Sequence, residues 1–129
     1  MAKVSLLFFL LFLSLTSGNV YIYVRECEYV LIVIKICDLC KKQNTWCVAK
    51  PSSDQATLLS NLNYACSQVD CKILEKGCPC SSPDNLINRA SIAMNLYYQC
   101  RGKNHWNCDF RGSGLVVVTN PSYGNCIYA

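Results

Sequence analysis

Apolar positions recur at helical spacing in two stretches of this chain and at strand spacing in several others. Between Ser82 and Gly102, Leu86, Ala90, Ala93 and Tyr97 form one stripe, with Ile87, Met94 and Cys100 on its flanks; this predicts an amphipathic helix. Ser82 is the expected N-cap, Pro83 fits the first helical position, and Asp84 lies near the positive end of the helix dipole. Gly102 suits the left-handed residue that ends a helix, with Arg101 and Lys103 beside the negative end. The opposite face carries Asp84, Asn88, Ser91, Asn95 and Gln99, with Tyr98 on its flank. This neutral polar stripe reads either as a solvated face or as a polyol-binding surface. In the second reading amides bond hydroxyls and a ring supplies an apolar platform.

A second helix is predicted from Pro51-Ser52-Ser53-Asp54, with Ser53 as N-cap, to about Cys66. Leu58, Leu62 and Ala65 form its buried stripe, beside Leu59 and Cys66. Short strands are expected at Trp46–Ala49, Cys108–Phe110 and Leu115–Thr119, and Asn120–Gly124 reads as a turn. Two further β-branched runs, Val20–Val24 and Tyr29–Ile36, precede the module.

The amino terminus reads as an export signal: a short basic start, an apolar run from Val4 to Leu15, and small residues suited to cleavage after Gly18. The run is short for a bilayer span, and no second apolar tail follows, so no stable membrane insertion is expected after cleavage. The expected organisation is a signal peptide over 1–18, an extension over 19–45 and one module over 46–129. A module of that size is marginal for stability by burial alone.

Cysteines are the expected compensation. The chain has eleven. Eight lie in the module: Cys47, Cys66, Cys71, Cys78, Cys80, Cys100, Cys108 and Cys126. In an exported chain these read as four disulfides of open connectivity. Cys27, Cys37 and Cys40 lie in the extension. Cys37-x-x-Cys40 reads as a local disulfide with a spare thiol rather than a zinc or redox site, since no second pair stands at metal spacing. A spare thiol could link chains, so the oligomeric state stays open.

The chemistry of an enzyme is missing. His105 is the single histidine and sits among loop residues with no nucleophile placed beside it. Asp54, Asp70, Glu75, Asp84 and Asp109 show no pairing of the kind glycoside hydrolysis needs. There is no phosphate loop and no calcium loop, and no cofactor or metal is expected. Net charge over the whole chain is only +4. That is too weak and scattered for a nucleic-acid partner. What stands out is aromatic: Tyr64, Tyr97, Tyr98, Trp106, Tyr123 and Tyr128. Tyr97 is expected in the core, and Tyr98, Trp106 and Tyr128 at the surface.

The order of short motifs is more specific than any one of them. Trp46-Cys47-Val48-Ala49, Asn63-Tyr64-Ala65-Cys66, Asp70-Cys71 and Pro79-Cys80 come first. Ala90-Ser91 with Asn95 and Tyr97-Tyr98-Gln99, Cys108-Asp109-Phe110 and Pro121-Ser122-Tyr123-Gly124-Asn125-Cys126 follow. Together they resemble carbohydrate-binding module family 43, the plant β-1,3-glucan (callose) binding domain of plasmodesmal callose-binding proteins and of glucan endo-1,3-β-glucosidases. The resemblance implies a small disulfide-rich α+β fold, two packed helices with a small antiparallel sheet. It also implies the bridges Cys47–Cys108, Cys66–Cys71 and Cys80–Cys126. Its functional implication is non-catalytic binding of β-1,3-glucan by a secreted, extracellular or cell-wall protein. Family members usually carry aromatic residues where this chain has Ile92 and Met94.

Cys78 and Cys100 are additional to the six and bracket the main helix, so a fourth bridge between them is expected. The expected sugar surface comprises Tyr98, Asn95 and Asn88, with Trp106 and Tyr128. The alternative is a lipid-transfer or defensin-like protein, which shares the cysteine count and, in lipid-transfer proteins, a Cys-x-Cys like Cys78-Pro79-Cys80. The adjacent Cys-Cys pair of that class is absent here.

Overall fold

The computed structural model describes residues 44–129. The expected signal, nearly all of the extension and Cys27, Cys37 and Cys40 lie outside them. The described chain runs β1 (Trp46–Ala49), α1 (Gln55–Gln68), a 3-10 turn (Lys72–Leu74), α2 (Leu86–Cys100), 3-10 turns at His105–Cys108 and Phe110–Gly112, and β2 (Gly114–Val117). This is the expected α+β architecture. The two helices pack on each other, and β1 and β2 pair antiparallel, with Trp46 opposite Val117 and Ala49 opposite Gly114.

Both helices start later than expected. Asp54, not Ser53, caps α1, its carboxylate accepting the Thr57 N–H at 2.7 Å. That bond holds the Asp54 carboxyl below its ordinary pKa. Asn85, not Ser82, caps α2 through its side-chain oxygen and the Asn88 N–H, at 2.9 Å. Asn is as good a cap as Ser and stands directly before Leu86, the first residue of the apolar stripe. Pro83 therefore lies ahead of the helix, after a cis peptide bond from Ser82. Asp84 pairs with Arg89 at 3.5 Å.

The larger correction concerns the polar face of α2. Ser91, Asn95 and Gln99 are buried and face β1. Ser91 Oγ accepts the Ala49 N–H at 3.0 Å, Asn95 Oδ1 accepts the Cys47 N–H at 3.0 Å, and Gln99 Nε2 donates to the Thr45 carbonyl at 3.0 Å. The spacing explains the match. Four helical residues advance about 6.0 Å, and two strand residues advance about 6.6 Å. The three side chains thus act as a third strand, satisfying the edge of β1 that β2 does not reach.

Covered by α1 and by β1, α2 divides the core in two. One cluster gathers Ala65, Ile73, Leu74, Ile92, Ala93, Leu96 and Tyr128 around Cys80 and Cys126. The other gathers Ala49, Leu58, Ala90, Met94 and Tyr98 around Cys47 and Cys108. Ile92 and Met94, the departures from the family pattern, are both interior. Tyr128, expected at the surface, is also interior, and burial pushes its phenol above the ordinary value.

The three bridges implied by the resemblance are present: Cys47–Cys108, Cys66–Cys71 and Cys80–Cys126. The first closes a separation of 61 residues, and a loop of that length stabilises the fold by about 4 kcal/mol through the unfolded chain. Cys78 and Cys100, for which a fourth bridge is expected, are each disulfide-bonded as well.

Cys108–Phe110, expected as a strand, forms turns instead. Phe110 and Arg111 take φ of 44° and 55°, far from the extended region a strand requires. The chain then enters β2 at Gly114, which lies so close to the backbone of Cys108 that an added Cβ would stand 1.7 Å from its carbonyl oxygen.

Candidate functional site

One groove of about 320 Å³ opens beside the helix pair. Its walls come from four elements. The face of α1 supplies Ser60, Asn61 and Tyr64, α2 supplies Tyr97, and the two 3-10 turns supply Trp106 with Asn107 and Phe110 with Arg111. Tyr64 is half exposed and Trp106 is 73% exposed. Gathered around one groove, exposed rings of this kind form the contiguous apolar surface that marks a binding site.

The aromatic wall is ordered by mutual contact. Tyr64 and Tyr97 have ring centroids 5.5 Å apart, and Phe110 meets Tyr97 edge-on at 5.6 Å and Tyr64 at 6.4 Å. Such tilted pairs favour a fixed arrangement of faces and edges. The Arg101 guanidinium lies 5.3 Å from the Tyr97 ring centre, a cation–π contact that steadies the ring. The Tyr64 and Tyr97 hydroxyls approach within 3.4 Å. That bond holds the Tyr64 phenol above its ordinary pKa, so it stays a hydroxyl able to donate and accept.

Polar groups sit around these rings. Asn61 Nδ2 donates to Ser113 Oγ at 2.7 Å, and Ser113 Oγ in turn donates to the Phe110 carbonyl. This chain ties α1 to the turn that carries Phe110 and Arg111. Asn107 Oδ1 is buried without a hydrogen-bond partner. Aromatic faces beside neutral amides and hydroxyls suit a polyol ring. No group of three or more His, Cys, Asp or Glu among the described residues is placed to hold a metal.

The expected sugar residues are not brought together. Trp106 is in the groove, as its exposure suggested. Asn88 is on another part of α2, half-buried, donating to the Tyr123 hydroxyl at 2.7 Å and to the Pro83 carbonyl. Asn95 is buried and engaged by the Cys47 N–H, Gln99 and the Ala129 carbonyl. Tyr98 is 2% exposed, with its hydroxyl bonded to Thr45 Oγ1 at 2.8 Å. Tyr98 borders a second depression, with Lys103, Asn104, His105 and Val116. That depression presents no exposed Tyr, Trp or Phe ring. The neighbouring tyrosines have exchanged roles: Tyr97 faces the groove and Tyr98 fills the core. Sequence reasoning missed Tyr64, Asn61, Asn107, Phe110 and Arg111. The available signal was Asn61 and Tyr64 at helical spacing on α1.

With this geometry in view, comparison with known proteins is decisive on family. Residues 45–115 match the X8 domain. The chain belongs to the X8 domain family. Wheat (Triticum aestivum) glucan endo-1,3-beta-glucosidase is 48% identical over 83 residues, 64% of this chain and 18% of that protein. Olive (Olea europaea) glucan endo-1,3-beta-D-glucosidase is 45% identical over 87 residues, 67% of this chain and 19% of that protein. The olive major pollen allergen Ole e 10 is 40% identical over 85 residues, covering 64% of this chain and 69% of the allergen. The chain therefore spans less than a fifth of either glucosidase. The X8 domain is a carbohydrate-binding module, not a catalytic one. Family membership also decides against the lipid-transfer and defensin-like alternative.

Proposed function

We propose that this X8 protein is exported and binds β-1,3-glucan, the polymer of callose, in the plant cell wall. The groove walled by Tyr64, Tyr97 and Trp106 carries the reading. Ring faces take the apolar faces of glucosyl units, and Asn107, Ser60 and Arg111 bond the hydroxyls left free by a 1,3 linkage. The names of the wheat and olive glucosidases point to the same polymer. Export is supported by the apolar run from Val4 to Leu15 and by the disulfide framework, which an oxidising compartment sustains. On this reading residues 1–18 are removed and the functional unit begins near Trp46.

The test is retention on insoluble β-1,3-glucan, with cellulose as control and reducing sugar measured in the supernatant. Retention on the first polymer alone, with no sugar released, is the expected result. Equal retention on both would remove the linkage preference, and no retention would remove the proposal.

A further inference from the structure

We infer that the groove prefers a glucan chain bearing carboxylate groups over the neutral chain, with Arg111 as the residue that sets this preference. This rests on reading the groove as the saccharide site.

The charges of the groove-forming elements are one-sided. Residues Gln55–Gln68 of α1 contain no charged side chain. The one charge within α2, Arg89, is engaged with Asp84 and the Leu74 carbonyl. The turn at His105–Cys108 adds only the imidazole. Arg101 sits over Tyr97 and donates to Gln68. Arg111 lines the groove itself and has no ion pair or hydrogen bond from its guanidinium among the described residues. The nearest carboxylate in the chain, Asp109, is exposed and forms no ion pair with either arginine.

Arg111 is also held in place. Phe110, Arg111 and Gly112 take φ of 44°, 55° and 81° in succession. Glycine alone adopts this region without strain. The turn is braced by Gly112 N and Gly114 N donating to the Asp109 carbonyl at 2.9 and 3.1 Å. Lys50 Nζ donates to the Gly112 carbonyl at 2.6 Å, and Asn61 holds Ser113. A fixed backbone thus presents an unpaired, permanently charged planar fork at the rim of an aromatic groove. A hydroxyl offers that fork ordinary hydrogen bonds. A carboxylate offers two parallel charge-assisted ones.

Calorimetric titration of the protein with laminarin oligosaccharides and with their carboxymethylated counterparts, at low and at high salt, tests this. The carboxymethylated chain should bind about three- to tenfold more tightly at low salt, the range of an exposed charge pair with good geometry. High salt should shrink the difference. Arg111→Gln should weaken both ligands and bring their affinity ratio to about one. Arg111→Lys, which keeps the charge and loses the fork, should give an intermediate ratio. Equal affinities in the unaltered protein, or a preference that survives in Arg111→Gln, would overturn the inference. If neither oligosaccharide binds, the saccharide reading of the groove fails and the inference with it.

Discussion

Asn95 Oδ1 accepts the backbone N–H of Cys47 at 3.0 Å, joining α2 to β1 across 48 positions of sequence. The same oxygen accepts from Gln99, and Asn95 Nδ2 reaches the Ala129 carbonyl. Removing this carboxamide leaves a buried strand N–H without a partner. Asn95→Ala should therefore cost about 2–3 kcal/mol of stability, read as a lower denaturation midpoint, while the folded fraction binds glucan with unchanged affinity. Were Asn95 a sugar contact, affinity would fall in protein that remains folded.

The approach of Gly114 to Cys108 gives a second prediction. The space a methyl group would need holds a carbonyl carbon and oxygen rather than a flexible side chain. Gly114→Ala should destabilise the fold by about 2–3 kcal/mol, seen in thermal unfolding. A neutral substitution would mean that β2 can shift away from the turn.

The cap of α1 makes stability depend on pH in a definite direction. Asp54 has a folded pKa below its unfolded value, so its contribution is present above the ordinary value of 3.8 and is lost as pH falls through the folded value. Asp54→Ala should unfold at lower temperature than the unaltered protein at neutral pH. The gap should close as pH is lowered below 3.8. A gap independent of pH would assign the effect to something other than the charged cap.

Peptide mapping of the oxidised protein should recover Cys47–Cys108, Cys66–Cys71 and Cys80–Cys126 as linked pairs. A different pairing among these six would contradict the two core clusters, which gather around Cys47 with Cys108 and around Cys80 with Cys126.

Those errors and successes have physical causes. Cap residues, the 3.6-residue stripe and the ordered cysteine motifs marked two helices and a stapled module, because each reports a local requirement. Periodicity separates the faces of a helix but not what covers them. Ser91, Asn95 and Gln99 looked solvated because the partner that buries them, β1, lies more than forty residues away in sequence. Tyr97 and Tyr98 were exchanged for the same reason. Tyr97 and Tyr98 stand about 100° apart around α2, so which ring meets the groove is decided by where α1 and β1 cover the helix. The groove itself joins Tyr64, Tyr97, Trp106 and Arg111 from four elements, and no spacing in the sequence expresses that assembly.

The most direct measurement is the affinity of the unaltered protein and of Trp106→Ala for a soluble β-1,3-glucan oligosaccharide, with thermal unfolding of both. Trp106 is exposed and supports no core cluster, so its loss should leave the unfolding temperature unchanged. Affinity should fall about tenfold or more, as expected for an aromatic residue central to a binding surface. Unchanged affinity in Trp106→Ala would contradict the assignment of the groove as the glucan site.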